Sequence, residues 1–310
     1  MDVLSEVLRA VKLQGALFFN AEFSAPWCII NSGVKGLAQY VSPKPGHLII
    51  YHFLTEGRAY TKLLDGKREE LTAGDIVVYT HGDPHFLGHG SAKPVDSLKT
   101  FAPGLNLVRF GGGGEVTKFV CGYLACDPQL SEVFLAGLPP LLKVHLVKEP
   151  SDQWLENSIR FSVSETNGSN AGSELVHSRL AELLFIETLR RYINKLPHDE
   201  IGWLAGARDQ TISQALALLH KDPAYPWTIS SLARRVGLSR TRLAERFRHF
   251  LSESPMAYLA RWRLKLAAEI LQSTEDSIAE VAVTVAYESK AGYNRAFKRE
   301  FNSPPAQFRR

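Results

Sequence analysis

From Trp227 onward the chain nearly repeats itself, and this duplication constrains the fold of its last third more than any other feature of its 310 residues. Ile229, Ala233 and Val236 return as Ile278, Ala282 and Val285 at an offset of 49. Ser239, Leu243, Phe247, Pro255 and Tyr258 return as Ser289, Tyr293, Phe297, Pro305 and Phe308 at an offset of 50, so the second copy holds one extra residue in its turn. Each copy reads as helix, tight turn, helix. In the first, Thr228 is a candidate N-cap, and Ile229, Leu232, Ala233 and Val236 form an inward face. Gly237 permits a left-handed turn, and Ser239 caps a second helix that buries Leu243, Phe247 and Phe250. In the second copy Ser277 and Ser289 take the capping positions, with Ile278, Val281, Ala282, Val285, Tyr293, Phe297 and Phe301 inside.

The faces left over carry the chemistry. The first copy offers Ser239, Arg240, Thr241, Arg242, Glu245, Arg246 and His249, and the second offers Ser289, Lys290, Asn294, Arg295, Lys298 and Arg299. Arginine reads guanine edges bidentately in a major groove, and the other polar groups reach bases or phosphates. A connecting helix over Pro255 to Gln272, with Leu259, Trp262, Leu266 and Ile270 facing a core, would set the two outer helices one duplex turn apart, about 34 Å. Charge points the same way. Residues 208–310 hold 17 Lys/Arg against 10 Asp/Glu, a net of +7, whereas residues 1–207 sum to −3 within a total of +4. A basic patch of this kind supplies non-specific affinity for a polyanion by releasing condensed counterions. A plain solvated basic surface has the same composition, so charge alone does not decide between the two.

The front of the chain has a different period. His47–Leu54, Ala59–Leu64 and Ile76–Tyr79 are strand-length runs rich in β-branched and aromatic residues, separated by Glu56-Gly57, Asp65-Gly66 and Ala73-Gly74. Asp96 to Phe110 and Thr117 to Leu124 continue the pattern of an all-β sandwich or barrel. Gly111–Gly114 lacks the Lys-Ser/Thr ending of a phosphate loop and reads as a flexible turn. Helical spacing takes over at Ser151–Val163, at Asp209–His220 and, most clearly, at Ser173–Leu196. There Leu175, Val176, Leu180, Leu183, Leu184, Ile186, Leu189 and Ile193 recur every three or four residues. That stripe fits packing on its own domain and fits a dimer interface equally well. Ser164–Ser173 reads as a loop.

The 227–310 segment resembles the DNA-binding domain of AraC/XylS transcription regulators. Leu232-Ala233, Ser239, Phe247, Ser254-Pro255, Tyr258, Arg263 and Ala267 match in the first copy. Ile278, Val281-Ala282, Tyr287, Ser289, Tyr293, Arg295-Ala296-Phe297-Lys298, Pro305 and Phe308-Arg309 match in the second. Ser252, Ala286 and Asn302 stand where that family usually has Gly; Asn tolerates the left-handed region, whereas Ala286 calls for an adjusted turn. Residues 2–27, 71–85 and 112–123 are similar to the cupin-type sensor domain of one AraC subgroup. Two spacings follow the cupin motifs loosely, Gly46-x5-His52 and Gly74-x5-Thr80-x-Gly82-x2-His85. Leu54 replaces the second histidine of the usual His-x-His, which argues against a standard cupin metal centre. His52, His85 and Cys121 could still converge on one zinc-class ion, since imidazole and thiolate suit it, or they could be core residues with satisfied hydrogen bonds.

The expected chain is therefore α+β: a cupin-like β-barrel or sandwich over 1–150, a helical linker and dimerisation segment over 151–207, and an all-α double helix-turn-helix domain over 208–310. The resemblance implies an effector-controlled transcription regulator rather than an enzyme. Its partners would be double-stranded DNA, a small-molecule effector, a second copy of the chain and RNA polymerase, and it would require no cofactor. A metal-dependent cupin dioxygenase or isomerase with an appended helical domain is the alternative. No apolar run approaches the ~20 residues of a membrane span, and three cysteines, Cys28, Cys121 and Cys126, are too few for a disulfide scaffold, so a reducing bacterial cytoplasm is expected.

Overall fold

The computed structural model describes residues 3–11, 13, 19–34, 47–97, 108–126, 135, 137–145, 153–155, 157–158, 161, 172–197 and 199–309. The chain groups into two compact units, one formed by Leu13–Cys126 with Leu138–Tyr192, the other by Met1–Lys12, Asp127–Gly137 and Ile193–Arg310. These boundaries differ from the expected 1–150, 151–207 and 208–310. The reason lies partly at the start of the chain, where helix α1 (Val3–Val11) carries Val3, Val7 and Val11 at a spacing of four, all sealed from solvent. It packs against a helix of the C-terminal unit, α4 (Gln210–Lys221). Most of the Ser164–Ser173 loop and most of the Ser151–Val163 helix lie outside the described residues. No described helix is long and apolar enough to cross a membrane.

The first unit is built from two sheets. Its strands are β1 (Phe19–Ser24), β2 (Trp27–Asn31), β3 (His47–Glu56), β4 (Arg58–Leu63), β5 (Glu69–Thr72), β6 (Asp75–Tyr79), β7 (His85–His89), β8 (Val95–Asp96), β9 (Val108–Gly111), β10 (Val116–Cys126) and β11 (Leu141–His145). The six-stranded sheet runs β11-β6-β3-β10-β1-β9, and the five-stranded sheet runs β5-β4-β7-β2-β8. Successive side chains on a strand point to opposite faces. Register therefore brings Ile50, His52 and Leu54 of β3 into line with Tyr123, Cys121 and Phe119 of β10. Ile50, Leu54, Val77, Phe119 and Cys121 meet Trp27, Ile29, Ala59, Leu71 and Leu87 of the other sheet in one cluster. All of β3 from Leu48 to Leu54 is buried, which is why its apolar run does not alternate.

The four-glycine run is pinned rather than flexible. Gly112 and Gly114 donate to the carbonyls of Ser24 and Ala25, both at 2.8 Å, and Gly113 donates to Ser24 Oγ at 3.0 Å. Gly111 has φ +138°, and a Cβ there would collide with the Ser24 carbonyl, so this turn needs glycine for close approach. Asp75, buried at the edge of β6, accepts from Thr72 N at 2.7 Å and from His145 Nδ1 at 2.8 Å, which ties β11 to β6.

The helix α2 (Ser173–Lys195), which belongs to the same unit as far as Tyr192, divides its residues between two faces. Ala181, Leu184, Phe185 and Leu189 are buried, while Leu175, Val176 and Leu183 stay exposed. The single stripe seen in the sequence thus contains a packed face and a bare one.

The helical unit continues with α3 (Trp203–Arg208), α4, α5 (Ile229–Arg235), α6 (Arg240–Leu251), α7 (Pro255–Ser273), α8 (Ile278–Thr284), α9 (Lys290–Phe301) and α10 (Pro305–Phe308). Thr228 and Ser231 form a capping box at α5, and Ser277 and Glu280 form the matching box at α8. The long helix α7 serves both copies. Tyr258 lies edge-on to Phe247 of α6, and Trp262 stacks on His220 of α4 at 4.2 Å. Leu264, Ala267, Ala268 and Leu271 join Val281, Ala282, Val285, Tyr293 and Phe297 in the core of the second copy. The expected core face of Leu259, Trp262, Leu266 and Ile270 is thus only part of what α7 buries, because two separate layers pack around it. Trp203 Nε1 donates to Tyr258 Oη at 3.1 Å, and Tyr258 Oη meets His220 Nε2 at 2.7 Å, linking α3, α7 and α4 through buried polar atoms.

Candidate functional site

α6 and α9 present the strongest candidate surface. Each has 12 residues, each is capped by a serine, and each ends on a left-handed residue, Ser252 with φ 60° and Asn302 with φ 55°. Leu243 and Phe247 in α6, and Tyr293 and Phe297 in α9, are completely enclosed. The turns before the two helices also begin alike, before the extra Glu288 of the second copy. Gly237 has φ +71° and Ala286 φ +58°; Leu238 N donates to Ala233 O at 3.0 Å, and Tyr287 N donates to Ala282 O at 2.9 Å. Ala286 therefore does not adjust the turn as expected. It adopts the glycine conformation, at a cost of about 1–2 kcal/mol for an L-residue in the left-handed region.

Of the expected interface residues, Arg240, Thr241, Arg242, Glu245, Lys290, Arg295, Lys298 and Arg299 are exposed. Ser239 Oγ accepts from Arg242 N at 3.2 Å and Ser289 Oγ from Gly292 N at 3.1 Å, so both serines are helix caps first, each keeping its hydroxyl hydrogen and one lone pair for a partner. Two assignments change. Arg246 turns back toward α4 and pairs with Asp209, the N-cap of that helix, so its guanidinium is engaged within the protein. The cause is helical phase, because Arg246 directly precedes enclosed Phe247 and follows Leu243 by three. Asn294 is half-buried, with its Oδ1 shielded from solvent. Arg248, which the sequence reading passed over, is exposed and lies two turns beyond Thr241 on the same stripe; seven-residue spacing was the signal for it. Replacing Arg246 with Ala should cost about 1–3 kcal/mol of stability by freeing a charged hydrogen bond. Replacing Arg248 with Ala should leave the thermal midpoint unchanged and weaken duplex binding. Melting curves and fluorescence anisotropy on both variants check this; the reverse pattern would return Arg246 to the interface.

The barrel interior holds the second candidate. His52 Nε2 and His85 Nε2 meet at 2.8 Å across the two sheets, and both side chains are buried. His85 Nδ1 donates to Asp83 O at 2.8 Å, so its Nε2 is the acceptor and His52 Nε2–H the donor. Tyr79 stacks on His85 with centroids 3.5 Å apart and planes 9° from parallel, and its hydroxyl bonds Thr61 Oγ1. Thr61 in turn donates to Phe86 O at 3.1 Å. Burial, reinforced at His52 by the neighbouring ring, pushes both imidazoles down, His85 to about 3, and burial pushes the Cys121 thiol up. Among the described residues, His52 Nδ1 and Trp27 Nε1 are buried without a hydrogen-bond partner.

A cupin metal does not fit this arrangement. Among the described residues no three His, Cys, Asp or Glu side chains come together to hold an ion, so the expected His52, His85 and Cys121 set is not assembled. The two imidazoles use their facing nitrogens on each other, Leu54 occupies the position of a further donor, and Cys121 lies within the apolar cluster. All three cysteines are buried, and none forms a disulfide among the described residues. Because the folded barrel holds His85 below its ordinary value of about 6.5, the unfolded chain binds more protons as pH falls below that value. Stability should therefore decline from pH ~6.5 toward about 3, by up to ~1.4 kcal/mol per pH unit for each such histidine. Urea unfolding at about pH 7 and about pH 5 measures this, and an unchanged midpoint would contradict a neutral buried pair.

Residues 2–194 match the cupin family, and residues 232–310 match a helix-turn-helix domain family. The HTH-type transcriptional regulator AlkR of Acinetobacter baylyi is 28% identical over 318 residues, covering 100% of this chain and 99% of its own. A putative AraC-like transcription regulator of Streptomyces lividans is 28% identical over 317 residues, with 100% and 98% covered. The RCS-specific HTH-type transcriptional activator RclR of Escherichia coli is 26% identical over 310 residues, with 100% and 97% covered. These relatives carry regulator names and none an enzyme name, so the enzyme alternative finds no support. With a cupin domain in front and a duplicated helix-turn-helix behind, the chain belongs to the AraC/XylS family of transcription regulators.

Proposed function

We propose that this regulator binds duplex DNA as a homodimer, with both helix-turn-helix copies engaged, and that a small molecule seated in the barrel sets its DNA affinity. The observation that carries the reading is the matched pair α6 and α9, equal in length, capping and buried phase, each turning exposed cations outward. In the barrel, the lone pair on His52 Nδ1 and the N–H of Trp27 have no partner among the described residues, and buried polar atoms in this state favour a bound molecule that supplies one. An effector controls the protein only if it binds the DNA-competent and DNA-incompetent states unequally. A ligand that occupies the barrel and leaves the duplex Kd unchanged is not the effector. The bare face of α2, with Leu175, Val176 and Leu183, supports a second copy as its cover, and RNA polymerase is the partner expected at the promoter.

Two measurements test this reading. Duplex affinity should fall steeply with salt, since each neutralised phosphate contributes roughly 0.9 to the logarithmic slope, and a flat response contradicts phosphate-driven binding. Leu183→Glu should yield monomers in sedimentation, because it places a charge on the bare face; a variant that stays dimeric moves the interface elsewhere.

A further inference from the structure

We infer that the two reading helices divide the work unequally: α6 discriminates base sequence, and α9 mainly grips the phosphate backbone. The inference deepens the DNA-binding reading and rests on it. The equivalence of the helices makes the comparison position by position. With 3.6 residues per turn, enclosed Leu243 and Phe247 place Thr241, Arg242, Glu245, Arg248 and His249 on the outward side of α6. Tyr293 and Phe297 place Ala291, Gly292, Arg295, Lys298 and Arg299 at the corresponding positions of α9.

A recognition helix reaches base edges mainly with residues near its N-terminus. There α6 offers a hydroxyl, a guanidinium and a carboxylate, from Thr241, Arg242 and Glu245, all exposed. The major groove displays both acceptors and donors, and telling four base pairs apart requires both kinds of group on the protein. Arginine suits guanine, glutamate accepts from the cytosine amino group, and threonine serves either role. At the same positions α9 has a methyl group, a bare glycine and Arg295. Asn294, the residue type that pairs bidentately with adenine, has its Oδ1 shut away from solvent, so it cannot present both halves of its amide. What remains on the exposed side of α9 is Lys290, Arg295, Lys298 and Arg299, four cations without an acceptor among them. Such a set attracts phosphates and leaves at most one guanine contact, from Arg295.

Selection of bound duplexes from a random library by the full-length chain, followed by competition binding on the selected site, tests the division. In each half-site one block of strongly preferred bases should emerge, flanked about one helical turn away by a block of weak preference. Single base-pair changes in the strong block should weaken binding roughly 5- to 150-fold, and changes in the other block only a few-fold. R242A should relax preference at one position of the strong block. K298A should weaken binding equally on all sequences and lower the salt slope by ~1, leaving the preferred sequence intact. Both positions are exposed, so loss of fold does not confuse the result. Two blocks of equal discrimination within one half-site, or a K298A protein that selects a different sequence, would overturn the division and leave DNA binding standing. A chain that retains no duplex at low salt overturns the DNA-binding reading and this inference with it.

Discussion

The rotation of two helices about their own axes decides what this protein shows to DNA. In each reading helix a pair of residues four apart, Leu243 with Phe247 and Tyr293 with Phe297, is driven completely out of water. Burial of side chains this large contributes on the order of 2 kcal/mol apiece, so neither helix can turn without exposing them. Everything on the opposite side follows from that phase. Thr241 and Arg242 face out, Arg246 folds back onto Asp209, and the serine caps set where each helix begins. α7 then keeps the two phases in register with each other, because it lends one set of side chains to each core.

The barrel is organised on a different principle. Its interior is apolar around Phe23, Trp27 and Phe119, whose rings contact one another, with a short polar seam of His52, His85, Tyr79 and Thr61 crossing between the sheets. The seam satisfies most of its own hydrogen bonds. It connects β3, β6, β7 and β4, four strands drawn from both sheets, so a change in its pairing reaches both halves of the sandwich.

Much of this was legible in the sequence, and the misses have physical causes. The duplicated helices could be read because helical periodicity fixes faces over short distances, and because Thr228, Ser239, Ser277 and Ser289 stand where caps belong. The left-handed conformations at Ser252, Ala286 and Asn302 follow from their standing at glycine positions. Strand runs and their turns were legible for the same local reason. The pairing of Arg246 was not legible because exposure at the margin of a helical stripe depends on a neighbour, Asp209, that is distant in sequence. Cys121 was grouped with the histidines because sequence shows residue types and not distances; register does set it opposite His52, yet the imidazoles close on each other. α1 escaped notice because nine residues with one valine per turn carry too little pattern to reveal a partner some two hundred residues away.

That small helix alters what a dissected protein would be. Because the segment beginning at Met1 belongs to the same compact unit as the double helix-turn-helix, a fragment starting at Ile193 is missing a piece of its own wall. The strip of α4 that Val3, Val7 and Val11 now cover would face water in such a fragment and invite self-association. Trimming or tagging the amino terminus is thus an intervention on the carboxyl-terminal half.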